Sequence, residues 1–467
     1  MKTLADEIIY GTKASVQAFI EQHHPDVNET DEYGFNPIIE ATIVNKTDIG
    51  LYLIQLGVNV NLADTTERTA LHWAAENNNI ELARLLLQQN ADPNAYTAGS
   101  QPVLVVPLLR KQKKMINLLI EHGADLNFAK DYINTKMLGH IYNLQGVVDI
   151  VNHKRAFIEL SYEGYILEFM LYAIYDALHS FINHYSAKPF RSYFGYLRPI
   201  LKSLGGAAEL IQYQQYNLDR KHYVQRIHEI LSRDLLLIPL AYIGHAISFI
   251  KFGNIWVRCD RGEYGRKYGC INIYQLQNPH NITPEFLSKL IYTKQTKEFI
   301  TEGLDELLQL TPLTQIPIAP QITGNCSWAN IEASIPTILF LLLKHHHSLP
   351  NLNDEEIKKQ ALTVYQFWLE WYQDKTLNEC IDSFYQASPA RKASKAAVLG
   401  AVLIQQCHYE NIRNIDRVNR IIKILMIQEY QPILISYLQA YCYPMTLGGK
   451  NLRSLLESCG IDPDSLV

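Results

Sequence analysis

The stretch that decides the fold is Thr69-Ala70-Leu71-His72-Trp73-Ala74-Ala75, followed after three residues by Asn79-Ile80-Glu81-Leu82-Ala83-Arg84-Leu85-Leu86-Leu87. It reads as two short helices separated by a tight turn. Working outward, the same pattern returns every 33 residues: Asn28, Asn61, Asn94 and Asn127 keep that spacing. Asp26, Asn59, Asp92 and Asp125 stand two residues before them, and the preceding helix ends align at Ile20, Leu53, Leu86 and Leu119. Gly57, Asn90 and Gly123 fall where a helix must stop in a left-handed conformation. A fixed period of this length marks stacked repeats, each unable to bury its apolar face alone.

The period and the Thr-Ala-Leu-His-Trp-Ala segment resemble the ankyrin repeat, over residues 1–130. Four repeats are expected, the terminal ones degenerate, because a capping repeat turns one face to water. In the third of these aligned segments, Pro107 takes the place of the small Ala41 and Ala74, so the first helix there should be distorted or short. The resemblance implies a module that binds protein. Tyr33, Thr66 and Glu67 at the turn tips and Trp73 on the inner helix are the expected contacts, with Trp73 equally suited to packing between repeats. His72 reads as a structural hydrogen-bonder.

The 467 residues carry 42 Lys and Arg against 47 Asp and Glu, a net charge of −5, which argues against direct nucleic-acid binding through bulk charge. The apolar run Leu235–Ile250 is 16 residues long and broken by Pro239 and His245, too short for a membrane span. No apolar signal core opens the chain. Seven scattered cysteines form no disulfide framework and suit a reducing compartment.

After the repeats the pattern changes. We expect an α+β domain with helical insertions over 131–445 and a helical tail over 446–467. Residues 140–200 are rich in Tyr and Phe; within them Glu168, Tyr172 and Tyr175 fall at helical spacing with Leu171 and Ile174, which suggests a packed helix, and a helical stretch follows over about 206–233. Ile238–Ile250 and Asn254–Cys259 read as two strands around the Lys251-Phe252-Gly253-Asn254 turn, with Cys270–Tyr274 a third. Residues 284–309 read as helix. Pro312, Pro317 and Pro320 read as a loop, and helices run from about 328 with breaks near Pro350, Pro389 and Pro444.

Three side chains in this region suit nucleophilic chemistry. Strand alternation puts His245 and Asp260 on one face in either of two hairpin registers, directly opposite or diagonal. A carboxylate there sets the imidazole tautomer and stabilises its cation. Cys326 follows Gly324-Asn325 and opens a helical run, where unpaired N–H groups favour a thiolate. Gln321 is placed to offer an amide donor to an oxyanion beside the Cys326 N–H. His345-His346-His347 with Cys380 or Cys407-His408 matches no zinc spacing, so no metal and no cofactor are expected.

The order His, Asp, Cys resembles the papain-like cysteine proteases, in the branch that holds the adenovirus protease, the ubiquitin-like-protein proteases and acetyltransferase-type bacterial effectors. The resemblance implies His245 as general base, Asp260 as its orienter, Cys326 as nucleophile and Gln321 as oxyanion donor. Ser327 stands where that branch commonly has Gly, the Gln321 spacing is one residue shorter, and Pro336 splits the helix behind Cys326. The fold class expected is therefore an α-solenoid of ankyrin repeats followed by an α+β papain-like cysteine protease domain with helical extensions. Over its full length the chain resembles the ankyrin-repeat effectors of Legionella, of the ankyrin H type. That implies type IV secretion into a host cell, a host-protein partner, action in host cytoplasm or nucleus, and a monomer. Amide or isopeptide hydrolysis is the first expectation. Acyl transfer or deamidation by the same triad, and a non-catalytic scaffold, remain alternatives.

Overall fold

A computed structural model describes residues 3–214, 223–322, 324–345, 353–442 and 446–466. The chain divides into two compact units, one joining Met1–Thr135 to Val147–Ser161, the other holding Lys136–Gly146, Tyr162–Gln214 and the described residues after Asp219.

In the first unit, helices pair as α1 (Leu4–Tyr10) with α2 (Lys13–His23), α3 (Pro37–Ile43) with α4 (Thr47–Gln55), α5 (Ala70–Glu76) with α6 (Ile80–Gln88), and α7 (Val105–Leu109) with α8 (Lys113–Glu121). First helices stack on first helices and second on second. Thr69 caps α5 in a reciprocal box with His72, whose Nδ1 lies 3.1 Å from the Thr69 N–H. The α7 helix is cut to five residues around Pro107.

The Asn period has a direct physical cause. Asp92 Oδ1 accepts the Asn94 N–H at 2.8 Å, closing a local turn that fixes the Asn94 backbone. Asn94 then reaches into the next repeat, accepting the Asp125 N–H at 2.7 Å and donating to the Gly123 C=O at 2.9 Å. Asn61 makes the same two bonds to Asp92 and Asn90, and Asn28 accepts from Asn59. Gly57, Asn90 and Gly123 all have positive φ, the left-handed helix ends expected from the sequence.

A hairpin of β1 (Val147–Val151) and β2 (Phe157–Ser161) follows α9 (Leu126–Ile141). It lies in the aromatic-rich stretch, ahead of the helix expected around Glu168–Tyr175, which is α10 (Leu167–Ile182).

The second unit is built on a five-stranded antiparallel meander among the described residues: β3 (Leu235–Tyr242), β4 (His245–Phe252), β5 (Ile255–Cys259), β6 (Ile271–Leu276) and β7 (Leu310–Ile316). Two details differ from the sequence expectation. Ile238–Ile250 is two strands, not one, because the chain turns at Ile243-Gly244 with Gly244 at φ +80°. Pro312 lies in a strand, not a loop. It sits at a register shift on the edge strand β7, where a missing N–H breaks no inner ladder.

One face of the sheet is packed by α11 (Phe194–Gln212) on β3, and by α16 (Cys326–Glu332) and α17 (Ser334–His345) on β4. Between the helices that flank the meander run α12 (Val224–Leu231), α13 (Glu263–Tyr268), α14 (Pro284–Tyr292) and α15 (Leu304–Leu308). The expected helix over 206–233 is thus α11 and α12, with residues 215–222 outside the described residues. On the other face, the fully buried Arg258 donates to the C=O groups of Ile300 and Thr301 and to Asp305 Oδ1, at 2.9, 3.2 and 2.6 Å. These bonds satisfy the carbonyls of the π-turn Phe299–Gly303. The remaining helices are α18 (Asp354–Gln386), capped by Asn353 and Glu356, then α19 (Pro389–Gln406), α20 (Ile412–Leu425), α21 (Gln431–Tyr437) and α22 (Leu447–Ser458). The expected breaks at Pro350 and Pro444 lie outside the described residues. Cys326–His345 is long and apolar enough to cross a membrane by length and composition, but 89% of its most apolar 18-residue stretch is buried in the core.

The ladder sets an ordered cost for its members. Asn94→Ala removes two bonds, one at a residue only 9% exposed, and should destabilise the repeats by about 1–3 kcal/mol in urea unfolding. Asn28→Ala, at an exposed bond, should cost less than about 1 kcal/mol. Equal costs would show that the ladder does not hold the stack.

Candidate active site

His245 is the first residue of β4, placed by the Ile243-Gly244 turn. Asp260 is the residue after β5. A two-residue turn at Gly253-Asn254 sets Phe252 opposite Ile255, and the pairing runs to Ser248 opposite Cys259. This is the second of the two registers open to the sequence, with Asp260 diagonal to His245. His245 Nε2 and Asp260 Oδ1 lie 2.9 Å apart. The same oxygen accepts the Gly262 N–H at 2.8 Å, which closes a turn over the carboxylate. Gly262 itself is a steric requirement, because a Cβ there would stand 2.6 Å from His245 Cε1.

Cys326 is the first residue of α16. Its Sγ accepts the Ala246 N–H at 3.3 Å, which brings the thiol beside His245, the preceding residue, closely enough that thiol and imidazole shift each other's ionisation. With Nε2 engaged by Asp260, Nδ1 is the ring nitrogen left for the thiol. Burial alone lowers the imidazole pKa, but the hydrogen bonds to Asp260 and Cys326, and their charges, push it up to about 9. Burial alone raises the thiol. The hydrogen bond with His245, the N–H groups of Ala246 and Ser327 and the charge of the imidazolium outweigh that, and Cys326 lies below the ordinary thiol value. The Asp260 side chain is 1% exposed and that of His245 14%, so water screens their attraction weakly. The two shifts point the same way, toward a thiolate–imidazolium pair.

Several residues hold this arrangement that the sequence reading did not single out. Asn330, fully buried one turn after Cys326, bonds to the backbone of both Ala246 and Arg261. Arg261 pairs with Glu332, which also accepts the Trp328 indole N–H at 2.7 Å. Lys136 Nζ donates to the C=O groups of Glu163 and Gly164, and the Gly164 N–H donates to Gly324 C=O at 3.1 Å. Asn325 Nδ2 donates to Asn143 Oδ1 at 2.7 Å. Tyr242 faces the imidazole across the turn, ring centres 5.3 Å apart. Its i+4 spacing from the cysteine, which puts Asn330 on the same side of the helix, was the available signal, and the spacing does not show its backbone partners.

Gln321 is tied to the same corner. Its N–H donates to Arg261 C=O at 2.8 Å, its C=O accepts from Arg266, and its Oε1 is buried without a partner among the described residues. On the repeats, Tyr33 is 57% exposed and Thr66 and Glu67 are exposed. Trp73 is corrected. It is 6% exposed, with the Arg68 guanidinium 3.7 Å over its ring and Phe35 against its edge, so it packs rather than presents a contact. His345 ends α17 with its ring against Phe252, while His346 and His347 lie outside the described residues. Among the described residues, no three His, Cys, Asp or Glu side chains gather as a metal site.

Residues 5–97 match the family described as ankyrin repeats (3 copies). The chain is 27% identical to inversin of Gallus gallus over 126 residues, 26% of this chain and 11% of inversin. It is 32% identical to BCL-6 corepressor-like protein 1 of Homo sapiens over 116 residues, 25% of this chain and 6% of that protein. The chain therefore spans about a tenth or less of the length of these curated relatives. The solved structure of the Legionella effector AnkH aligns over 99% of this chain and 98% of that one, with 41% identity and a TM-score of 0.86.

The contact at Gly262 generates a test. Gly262→Ala should swing the imidazole off the thiol while leaving the sheet intact. Cys326 alkylation at pH 7 should slow by about tenfold or more, with Tm within a few degrees of wild type. An unchanged alkylation rate would show that the imidazole is not held between Gly262 and the thiol.

Proposed function

Because the chain belongs to the family of the Legionella effector AnkH, we propose that it is a bacterial effector that holds a host protein on its ankyrin repeats and cleaves an amide or isopeptide bond with a papain-like cysteine hydrolase domain. One observation carries the chemistry: the His245 imidazole is hydrogen-bonded to the Asp260 carboxylate, and the Cys326 thiol, from a helix far along the chain, takes the N–H of Ala246, the residue next to His245.

In this reading Cys326 thiolate adds to the substrate carbonyl, and the imidazolium of His245 gives its proton to the departing amine. The neutral imidazole then takes a proton from water, which releases the acyl group and restores the thiolate. Asp260 keeps Nε2 protonated and turns Nδ1 toward sulfur. The Cys326 N–H and the Gln321 carboxamide receive the oxyanion. The meander with α16 packed against it plays the part of the papain-like core, and α18 to α22 are its helical extension. Exposed Tyr33, Thr66 and Glu67 are the surface offered to the host partner.

The pH dependence separates this mechanism from simple thiol reactivity. Alkylation of Cys326 needs only the thiolate and should rise with pH through the lowered thiol pKa, then stay level. Turnover of an amide also needs the imidazolium and should fall again around pH 9, where His245 loses its proton. A thiol-directed activity probe should label wild type, fail on Cys326→Ala, and label His245→Ala at least about a hundredfold more slowly. Equal labelling of wild type and Cys326→Ala, with full effect of that variant in host cells, would replace the hydrolase by a scaffold.

A further inference from the structure

Asn330 stands one helical turn after Cys326, on the same side of α16. It is completely buried. Its Nδ2 donates to the Ala246 C=O at 2.6 Å and its Oδ1 accepts the Arg261 N–H at 2.6 Å. Ala246 directly follows His245, and Arg261 directly follows Asp260. One carboxamide therefore holds the backbone next to both partners of the thiol, from the helix that carries the thiol. The amide orientation is chemically forced, because a backbone N–H must meet oxygen and a carbonyl must meet the NH2 group.

Ala246 is gripped twice. Its N–H points at Cys326 Sγ and its C=O at Asn330. A second bond between the same elements does not involve the carboxamide: Ser248 Oγ donates to the Asn330 C=O at 2.6 Å. That bond can fasten strand to helix without setting where His245 and Asp260 sit. The distinction makes the role of the side chain separable from packing.

We propose that Asn330 is a positioning residue that sets the spacing of Cys326, His245 and Asp260 through the Ala246 and Arg261 backbone, an inference that rests on the hydrolase reading above. No other uncharged side chain of this size supplies one donor and one acceptor in the required places. Asp presents two acceptors and repels the Ala246 carbonyl, and Ala leaves both backbone groups buried and unpaired.

The test is the pH dependence of Cys326 alkylation by iodoacetamide in the full chain, followed at the Cys326 peptide by mass spectrometry. In wild type the rate should follow a thiol pKa below the ordinary range and lose that depression in His245→Ala. Asn330→Asp and Asn330→Ala should move the midpoint up by about one pH unit or more. Ser248→Ala should lower Tm and leave the midpoint where it was. A depressed, His245-dependent midpoint that Asn330→Asp leaves unchanged overturns this inference alone. An ordinary midpoint in wild type overturns the hydrolase reading beneath it. Should both Asn330 variants fail to fold, hydrogen exchange in wild type reads the same clasp. The Arg261 N–H should be protected to the level of the β5 amides, and exchange at the rate of an open loop overturns the proposal.

Discussion

The second unit depends on how one short helix, α16, is seated on the start of one strand, β4. The interface is apolar at most positions, yet a small set of polar bonds fixes it: Ala246 N–H to Cys326 Sγ, Asn330 Nδ2 to Ala246 C=O, and Ser248 Oγ to Asn330 C=O. Apolar packing alone tolerates sliding by a fraction of a turn. Buried donors and acceptors do not, because each one left unpaired costs roughly 1–3 kcal/mol. The polar bonds therefore select a single seating, and the seating brings a thiol from one part of the chain to an imidazole and carboxylate from another.

The corner behind that seating is charged, and each charge is used twice. Arg261 pairs with Glu332 and donates Nε to the Ala319 C=O at 2.7 Å, so it fastens the segment leading toward Gln321 as well as α16. Glu332 accepts from Trp328, and Tyr365 of α18 beside it helps hold its charged form. A buried ion pair is weak evidence of stability, since desolvation offsets much of its attraction. What it supplies here is direction: it fastens the loop after Asp260 to the helix carrying Cys326.

Some of this was legible in the sequence and some was not, for identifiable reasons. The 33-residue period was legible because every ladder Asn must occupy the same place in its repeat to span to the next. The His245–Asp260 pairing was legible down to two registers, and the Gly253-Asn254 turn chose between them. The break at Ile243-Gly244 was hidden because Ile243, 83% exposed at the turn tip, carries on the apolar run of its neighbours. The strand through Pro312 was hidden because proline reads as a loop unless the strand is known to be an edge. Asn330 was hidden because its partners are backbone atoms 84 and 69 residues away, and no side-chain pattern records them. Trp73 was open to both readings in the sequence, and Arg68 and Phe35 against its ring decide for packing.

Pro336 resolves a last question, why the thiol is acidic. A long helix behind Cys326 would supply a dipole. Proline has no N–H to offer the Glu332 carbonyl, and the helix breaks at Ala333, leaving α16 only seven residues long. A piece that short has little macrodipole to lend. The thiolate is instead supported by immediate neighbours: the His245 imidazole and the N–H groups of Ala246 and Ser327. Its acidity is then set by where β4 lies against α16, not by helix length. The geometry that assembles the three groups is the same geometry that ionises the sulfur.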